Sequence, residues 1–249
     1  MSKVVIVTGA SRGIGLAIAT SLLKSSHRVV LTARSEDDLA KVKASYPGLV
    51  EYVAGDLTEP EVAKKVTDLA VKAFGQLDGV VVNHGVLEPI TRIANTNIED
   101  WKRHYDVNVF SGLGLLKEAI PALRKSKGCV VWVSSGAATG FYTAWGAYGS
   151  SKAAAHSITG HLAAEEPDIT SISISPGRID TDMQRLIRES ADEMNPDQRR
   201  TFTEAFEKGE ILKPETIADA YARFVVGPDR SLTGKFLRIT APELASFRD

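Results

Sequence analysis

Val4-Val5-Ile6-Val7-Thr8 runs into Gly9-Ala10-Ser11-Arg12-Gly13-Ile14-Gly15 and then into Leu16-Ala17-Ile18-Ala19. An unbroken Val/Ile run reads as a strand buried on both faces, and the apolar stretch after Gly15 reads as a helix. Glycines at the turn between them let the main chain approach a pyrophosphate. The free N–H groups and positive dipole end of the helix then hold that anion. An ordinary tight strand-to-helix turn also uses glycine. Placement after a strand and before a helix is what favours a dinucleotide here.

The same pattern continues outward. Val-rich runs recur at Val29–Leu31, Val80–Val82 and Val130–Val133, with further strands expected at Ile169–Ser175 and Lys235–Ile239. Helix signals fill the gaps. Ser35–Ser45 reads as one helix. Thr58-Glu59-Pro60-Glu61 is a capping box that opens another, carried by Val62, Val66, Leu69 and Ala73 and stopped at Gly75. Thr96-Asn97-Ile98-Glu99 is a second capping box, opening a long helix bracketed by Pro121 and Gly128, and Tyr148–Glu166 is a helix ended by Pro167. Such alternation predicts an α/β fold, a Rossmann-type doubly wound parallel sheet, with residues 1–249 in a single domain. After Pro176-Gly177 the pattern breaks. Residues 178–213 are polar and helix-prone, which suggests a substrate-loop insertion. A pair of solvated surface helices is the plainer alternative.

Composition narrows the function classes. Apolar residues make up 43% of 249 and the net charge is −1, a globular profile with no electrostatic case for nucleic acid or anionic lipid. The lone cysteine, Cys129, excludes an internal disulfide framework. Met1-Ser2-Lys3 leads straight into the first strand and no apolar run is long enough to span a bilayer, so a cytoplasmic protein is expected. No metal is expected, because His, Cys and carboxylates nowhere cluster at ligand spacing.

The end of the second strand speaks to the cofactor. Dinucleotide folds that select NAD place an acidic residue there for the ribose 2′-hydroxyl. This chain has Ala33-Arg34 instead, and Arg34, joined by Arg12, suits a 2′-phosphate. NADP(H) is therefore the expected cofactor. Further along, Tyr148 and Lys152 stand four apart on one helix face, where a cation favours the phenolate. Ser135 closes a buried strand thirteen residues earlier, Asn83 follows another strand, and Asn108 sits inside the long helix, where Asn is a poor helix former.

Together these residues resemble the short-chain dehydrogenase/reductase family, in its single-domain branch. The resemblance is carried by Thr8-Gly9-x3-Gly13-x-Gly15, Asp56-Leu57, Asn83-x-Gly85, Asn108, Ser135, Tyr148-x3-Lys152, and Pro176-Gly177 with Thr181. It implies that Tyr148 is the acid/base, that Lys152 lowers its pKa and holds the nicotinamide ribose, and that Ser135 orients the carbonyl. Asn108 would support a proton-relay water. On the cofactor side it implies Gly9, Ser11, Arg12, Gly13, Ile14 and Gly15 at the phosphates, with Asp56 and Leu57 at adenine. Asn83 and Gly85 would lie near the adenosine ribose, and Pro176, Gly177, Ile179 and Thr181 at the nicotinamide. Relatives assemble as homodimers or homotetramers, so one of these is expected.

Leu162–Pro167 and Pro176–Gln184 resemble more narrowly the sepiapterin reductases and the fungal benzil-reductase-like proteins. Sepiapterin reductases anchor a pterin with an Asp where this chain has Arg238, so diketone-type substrates are preferred. Phe141, Tyr142, Trp145, Met183 and Leu186 are candidate walls for an apolar or aromatic substrate, with core packing as the alternative role. His84 replaces a common Ala and is expected to stabilise its turn. The expectation is an NADPH-dependent reductase of small-molecule carbonyl compounds. Its rivals are an NADP-dependent alcohol dehydrogenase in the oxidative direction and a non-catalytic NADP-binding regulator. The regulator usually lacks the Tyr or the Lys, and both are present. A sugar-nucleotide epimerase is disfavoured by its different glycine spacing.

Overall fold

The computed structural model describes residues 2–190 and 192–248. Seven strands form one parallel sheet: β1 (Val4–Thr8), β2 (Arg28–Ala33), β3 (Val50–Ala54), β4 (Gly79–Val82), β5 (Cys129–Val133), β6 (Thr170–Ser175) and β7 (Phe236–Arg238). Their order is β3-β2-β1-β4-β5-β6-β7. The chain leaves β1 toward one edge and returns through β4 toward the other. The crevice beyond the carboxyl ends of β1 and β4 is where such a sheet receives a ligand.

Side chains alternate across the sheet, so each strand feeds two cores. Val5, Val7, Val81 and Val131 face α1 (Gly13–Lys24) and α9 (Pro214–Val226), packing against Ile18, Leu22, Tyr221 and Phe224. Val4, Ile6, Val80, Val130 and Trp132 face α3 (Pro60–Phe74) and α5 (Ser111–Ser126). Burial on both faces explains the unbroken valine runs. Among the described residues no helix is long and apolar enough to cross a membrane.

Several local expectations need correction. The strand β3 carries no continuous apolar run, because it is the sheet's edge and only Val50 is fully buried. The Thr58 capping box does not form. Asp56 Oδ1 accepts both the Thr58 N–H (2.9 Å) and its hydroxyl (2.8 Å), and Glu59 takes the N-cap position of α3. In the second box the cap of α4 (Ile98–Tyr105) is Asn97, whose side chain accepts the Glu99 N–H at 2.9 Å. The Thr96 hydroxyl turns back to the Arg92 carbonyl. Pro121 lies inside α5 rather than closing it, and the left-handed residue at its end is Lys127. Asn108 sits in a π-helical segment, Asp106–Phe110, between α4 and α5. The remaining helices are α2 (Glu36–Ser45), α6 (Gly146–Glu165), α7 (Asp182–Ser190), α8 (Pro196–Glu207) and α10 (Ala245–Arg248).

The late polar segment leaves and re-enters the fold at one place. Ile179 and Leu212 form a parallel bridge; the Asp180 N–H donates to the Leu212 carbonyl (2.8 Å), and the Leu212 N–H donates to that of Arg178 (3.2 Å). Between these ends lie α7 and α8. They are not merely solvated, since Ile187, Met194 and Phe202 bury themselves against Leu87, Ala137, Trp145 and Tyr148.

Candidate active site

A cleft of about 1760 Å³ opens beyond the carboxyl ends of the strands. That exceeds the roughly 300–1,000 Å³ of a pocket for one small ligand and suits two molecules side by side. At one end is the glycine turn. Gly9 and Gly13 adopt left-handed φ of 61° and 56°. A Cβ on Gly15 would lie 2.4 Å from the Gly9 carbonyl oxygen and 2.5 Å from Asn83 Nδ2, so only glycine fits. Arg12, the N-cap of α1, makes no side-chain cap, which leaves the first helical amides for a ligand. The residues present therefore fit a dinucleotide phosphate.

Asn83 lines the cleft, and its Nδ2 donates to the carbonyls of Thr8 (3.0 Å) and Gly9 (3.3 Å), so the amide also braces the turn. Gly85 lines the cleft, where a Cβ would come 3.2 Å from Asn108 Oδ1. Ser11, Ile14, Asp56, Leu57, Pro176, Gly177, Ile179 and Thr181 also line it. Asp56 is held below the usual carboxylate range, first by the Thr58 N–H, and Arg34 adds to this effect.

Ala33 and Arg34 line the expected adenosine end, and Arg34 has no ion-pair partner among the described residues. Arg12 departs from expectation. Its Nη1 lies 2.8 Å from Asp182 Oδ2, so it ties the glycine turn to α7 rather than joining Arg34.

At the other end the helix α6 presents Tyr148 and Lys152 toward Ser135. Tyr148 is 6% exposed. Burial raises its pKa, and the nearby Ser135 hydroxyl pulls the other way. Lys152 Nζ donates to the Val133 carbonyl at 3.0 Å and lies 5.8 Å from the Tyr148 ring centroid. Its own pKa is lowered to about 8 by burial. Burial thus sets the direction of the shift at Tyr148.

Asn108 is 1% exposed and fully engaged. Its Oδ1 accepts the Val86 N–H (2.8 Å) and its Nδ2 donates to the Val86 carbonyl (2.9 Å). The remaining Nδ2 proton meets His104 Nε2 at 2.8 Å. His104 Nδ1 faces the Glu88 carbonyl at 2.7 Å, so it must donate there, which leaves Nε2 as the acceptor. The Ser151 hydroxyl completes the group by donating to the Tyr148 carbonyl (2.8 Å). Sequence reading did not single out His104. Its place four residues before Asn108 was the available signal.

Tyr142, Trp145 and Met183 line the cleft as expected. Phe141 does not: it is 95% exposed and points away. Leu186 packs behind the wall without reaching the cleft. Arg238 does line the cleft. Glu193 fastens the late polar segment, accepting from the Arg92 N–H (2.8 Å) and Asn95 Nδ2 (3.1 Å). Among the described residues no group of three His, Cys, Asp or Glu is placed to hold a metal.

His84 is a half-buried strut at the edge of the cleft. Its ring nitrogens lie 2.7 Å from Thr8 Oγ1 and 2.7 Å from Ser111 Oγ, joining β1 to α5. Burial lowers its pKa to about 4 from 6.5. The unfolded chain therefore takes a proton that the folded chain refuses. Stability is full above pH 6.5 and falls as the pH drops toward about 4, by up to about 1.4 kcal/mol per pH unit. Urea unfolding near neutrality and one unit below pH 6.5 measures the difference. In His84→Gln that difference should shrink by about 1 kcal/mol. An unchanged difference would show that His84 is not the group responsible.

A sequence profile for the short chain dehydrogenase family matches residues 3–192. An uncharacterized oxidoreductase of Saccharomyces cerevisiae is 40% identical over 99% of each chain. The crystal structure of that short chain dehydrogenase/reductase superposes with a TM-score of 0.96, covering 99% of each chain. A benzil reductase of the (S)-benzoin-forming type from the same yeast is 36% identical over 96% of each chain. An alcohol dehydrogenase from the archaeon Thermococcus sibiricus, complexed with 5-hydroxy-NADP, is 26% identical over 96% of each chain with a TM-score of 0.79.

Proposed function

The chain belongs to the short-chain dehydrogenase family and is an oxidoreductase acting on CH–OH or C=O groups, and from that premise we propose that it is an NADPH-dependent reductase of ketones and diketones with aromatic substituents. The observation that carries this reading is a buried phenol, Tyr148, that lines an aromatic cleft together with Ser135 and Lys152.

When bound, NADPH supplies the hydride that reaches the carbonyl carbon. The chain's own groups do the rest. Backbone amides from Ser11 to Ile14 hold the pyrophosphate, Arg34 holds the 2′-phosphate, and Asp56 and Leu57 flank adenine. Ile179 and Thr181 hold the nicotinamide carboxamide, with Pro176 and Gly177 shaping that wall. Ser135 Oγ donates to the substrate carbonyl oxygen and fixes its position. Tyr148 Oη then gives its proton to that oxygen as negative charge develops. Lys152 Nζ grips the nicotinamide ribose and stabilises the phenolate left behind. Asn108, locked by Val86 and His104, supports the water that returns a proton to this pair. The segment 178–213 is a substrate cover, pinned at Asp182 and Glu193, that keeps bulk water from the carbonyl.

A neutral Tyr148 phenol is the form that donates a proton in the reductive direction. Oxidation of the alcohol needs the phenolate first, so its rate should climb with pH. The benzil reductase among the relatives supports a diketone substrate, and the NADP-type ligand of the archaeal neighbour supports the cofactor. Exposed Ile98 on α4, Phe110 in the π-helical segment and Leu113 on α5 offer apolar surface for a homodimer or homotetramer.

Initial rates with NADPH and with NADH against ketones, 1,2-diketones, quinones and pterins test the reading. Aromatic ketones and diketones with NADPH should lead; pterins alone, or NADH throughout, would contradict it. Lys152→Met should weaken NADPH binding and turnover together, because one ammonium serves both. A variant with native NADPH affinity, measured by calorimetry, would remove Lys152 from the cofactor site.

A further inference from the structure

Four residues before Asn108 and on the same helix face, His104 is buried on α4, and the two side chains admit only one arrangement of their protons. A flipped Asn108 amide would set donor against donor at the Val86 N–H and acceptor against acceptor at its carbonyl, so Oδ1 accepts and Nδ2 donates there. His104 carries its proton on Nδ1, toward the Glu88 carbonyl, and its Nε2 is a bare acceptor 2.8 Å from Asn108 Nδ2. Asn108 itself lies where the helix is π-wound, an irregularity that gathers at functional sites. The pair also reaches the acid. The His104 ring meets that of Tyr148 edge-on at 6.3 Å. Ser151 Oγ, which donates to the Tyr148 carbonyl, lies 3.1 Å from His104 Nε2 and 3.2 Å from Asn108 Nδ2.

We infer that His104 is a positioning residue for the carbonyl reduction: its neutral imidazole, with the proton on Nδ1, holds the Asn108 amide across Val86, and a second ring proton, at Nε2, releases that hold and slows turnover. This deepens the reductase reading and rests on it. A proton on Nε2 would aim an N–H at the Asn108 amide nitrogen. Ser151 Oγ is the acceptor left to it among the described residues, and Asn108 Nδ2 already draws on that oxygen. Either the ring withdraws or Asn108 lets go of Val86. The ring faces Lys152 and the neutral Tyr148 from α6, the Glu88 carbonyl from the loop after β4, and the Asn108 amide from the π-helical segment. Burial lowers its pKa first; the Glu88 carbonyl raises it, and Lys152 lowers it again. The loss of turnover therefore sets in below pH 6.5.

Asparagine and glutamine divide the two ring nitrogens between them. His104→Asn keeps a donor toward Glu88 and loses the acceptor toward Asn108, whereas His104→Gln keeps an acceptor there and does not titrate. With NADPH and 1-phenylpropane-1,2-dione at neutral pH, kcat should fall about tenfold in His104→Asn and stay within about threefold of native in His104→Gln. KM for the dione, and NADPH affinity by calorimetry, should match the native chain in both. Native kcat should fall as the pH drops, and that acid limb should vanish in His104→Gln and persist in His84→Gln. Nitrogen NMR of isotope-labelled imidazoles reads the same group without turnover and needs no variant that folds. His104 of the native chain should carry its proton on Nδ1 at neutral pH, and its titration should coincide with the acid limb of kcat. No loss in His104→Asn, equal losses in both variants, a limb that His104→Gln retains, or a ring protonated on Nε2 at neutral pH would overturn the inference and leave the reductase reading standing. A native chain that reduces no aromatic ketone or diketone would remove both.

Discussion

Tyr148→Phe should bind NADPH as tightly as the native chain and turn over roughly 10²–10⁴-fold more slowly. The ring of Tyr148 packs against Trp145 edge-on and within 6.3 Å of His104, and phenylalanine preserves both contacts. Only the hydroxyl leaves. Ser135 still positions the carbonyl, but the developing alkoxide must take its proton from water in a covered cleft. The loss therefore falls on kcat and kcat/KM alike, as for an interaction made only in the transition state. Calorimetric titration of NADPH into the variant, beside steady-state rates, separates this from a collapsed site. Retained turnover would mean that another group is the acid.

The second large effect concerns the cofactor. Ala33 offers no carboxylate to a ribose 2′-hydroxyl, and Arg34, with no ion-pair partner among the described residues, lines the cleft. A charge-assisted hydrogen bond is worth about 1.5–3 kcal/mol, so losing the Arg34 contact should cost about 10- to 150-fold in NADPH affinity. In the double variant Ala33→Asp, Arg34→Ile the new carboxylate repels a phosphate and accepts from a hydroxyl, so NADPH weakens while NADH improves. Arg12 enters differently from the sequence expectation. It is already paired with Asp182, which Arg185 also holds. A phosphate that recruited Arg12 would have to draw it from that pair. Adding Arg12→Ala to the double variant should therefore change NADPH affinity little. Native chain binding NADH as tightly as NADPH, measured in the same titrations, would contradict the assignment of Arg34.

Much of the fold was legible because the physics was local. Valine runs buried on both faces, a glycine turn between strand and helix, and Gly75 at a helix end with φ of 79° all carry their signal in a few neighbouring residues. What escaped depends on competition or on distance. Both capping boxes were displaced by a better-placed side chain, Asp56 in one and Asn97 in the other. The edge strand β3 hides because Glu51 interrupts its apolar run, and Lys43 pairs with Glu51 from α2 at 2.7 Å. Pro121 reads as a stop, yet α5 carries on past it to Ser126.

The site divides the same way. Residue types at family spacing brought Ser135, Tyr148 and Lys152 together on the page, and the chain folds them together. No spacing rule could tell that Asn83 faces the glycine turn, that Arg12 reaches α7, or that Phe141 looks outward while Tyr142 looks in. These are decided by which element lies opposite, across 74 residues in the case of Asn83 and Gly9. His104 escaped for a related reason. It matters through what its neighbours lock in place, and a sequence does not record that.

The most direct test of the account uses NADPH carrying deuterium at C4, each epimer in turn, with the native chain and 1-phenylpropane-1,2-dione. Mass spectrometry of the product then reports where the label goes. Deuterium on the carbinol carbon from one epimer only, in amounts equal to the NADP formed, is the predicted result. Product without deuterium from either epimer, or no product from any aromatic ketone or diketone offered, would contradict it.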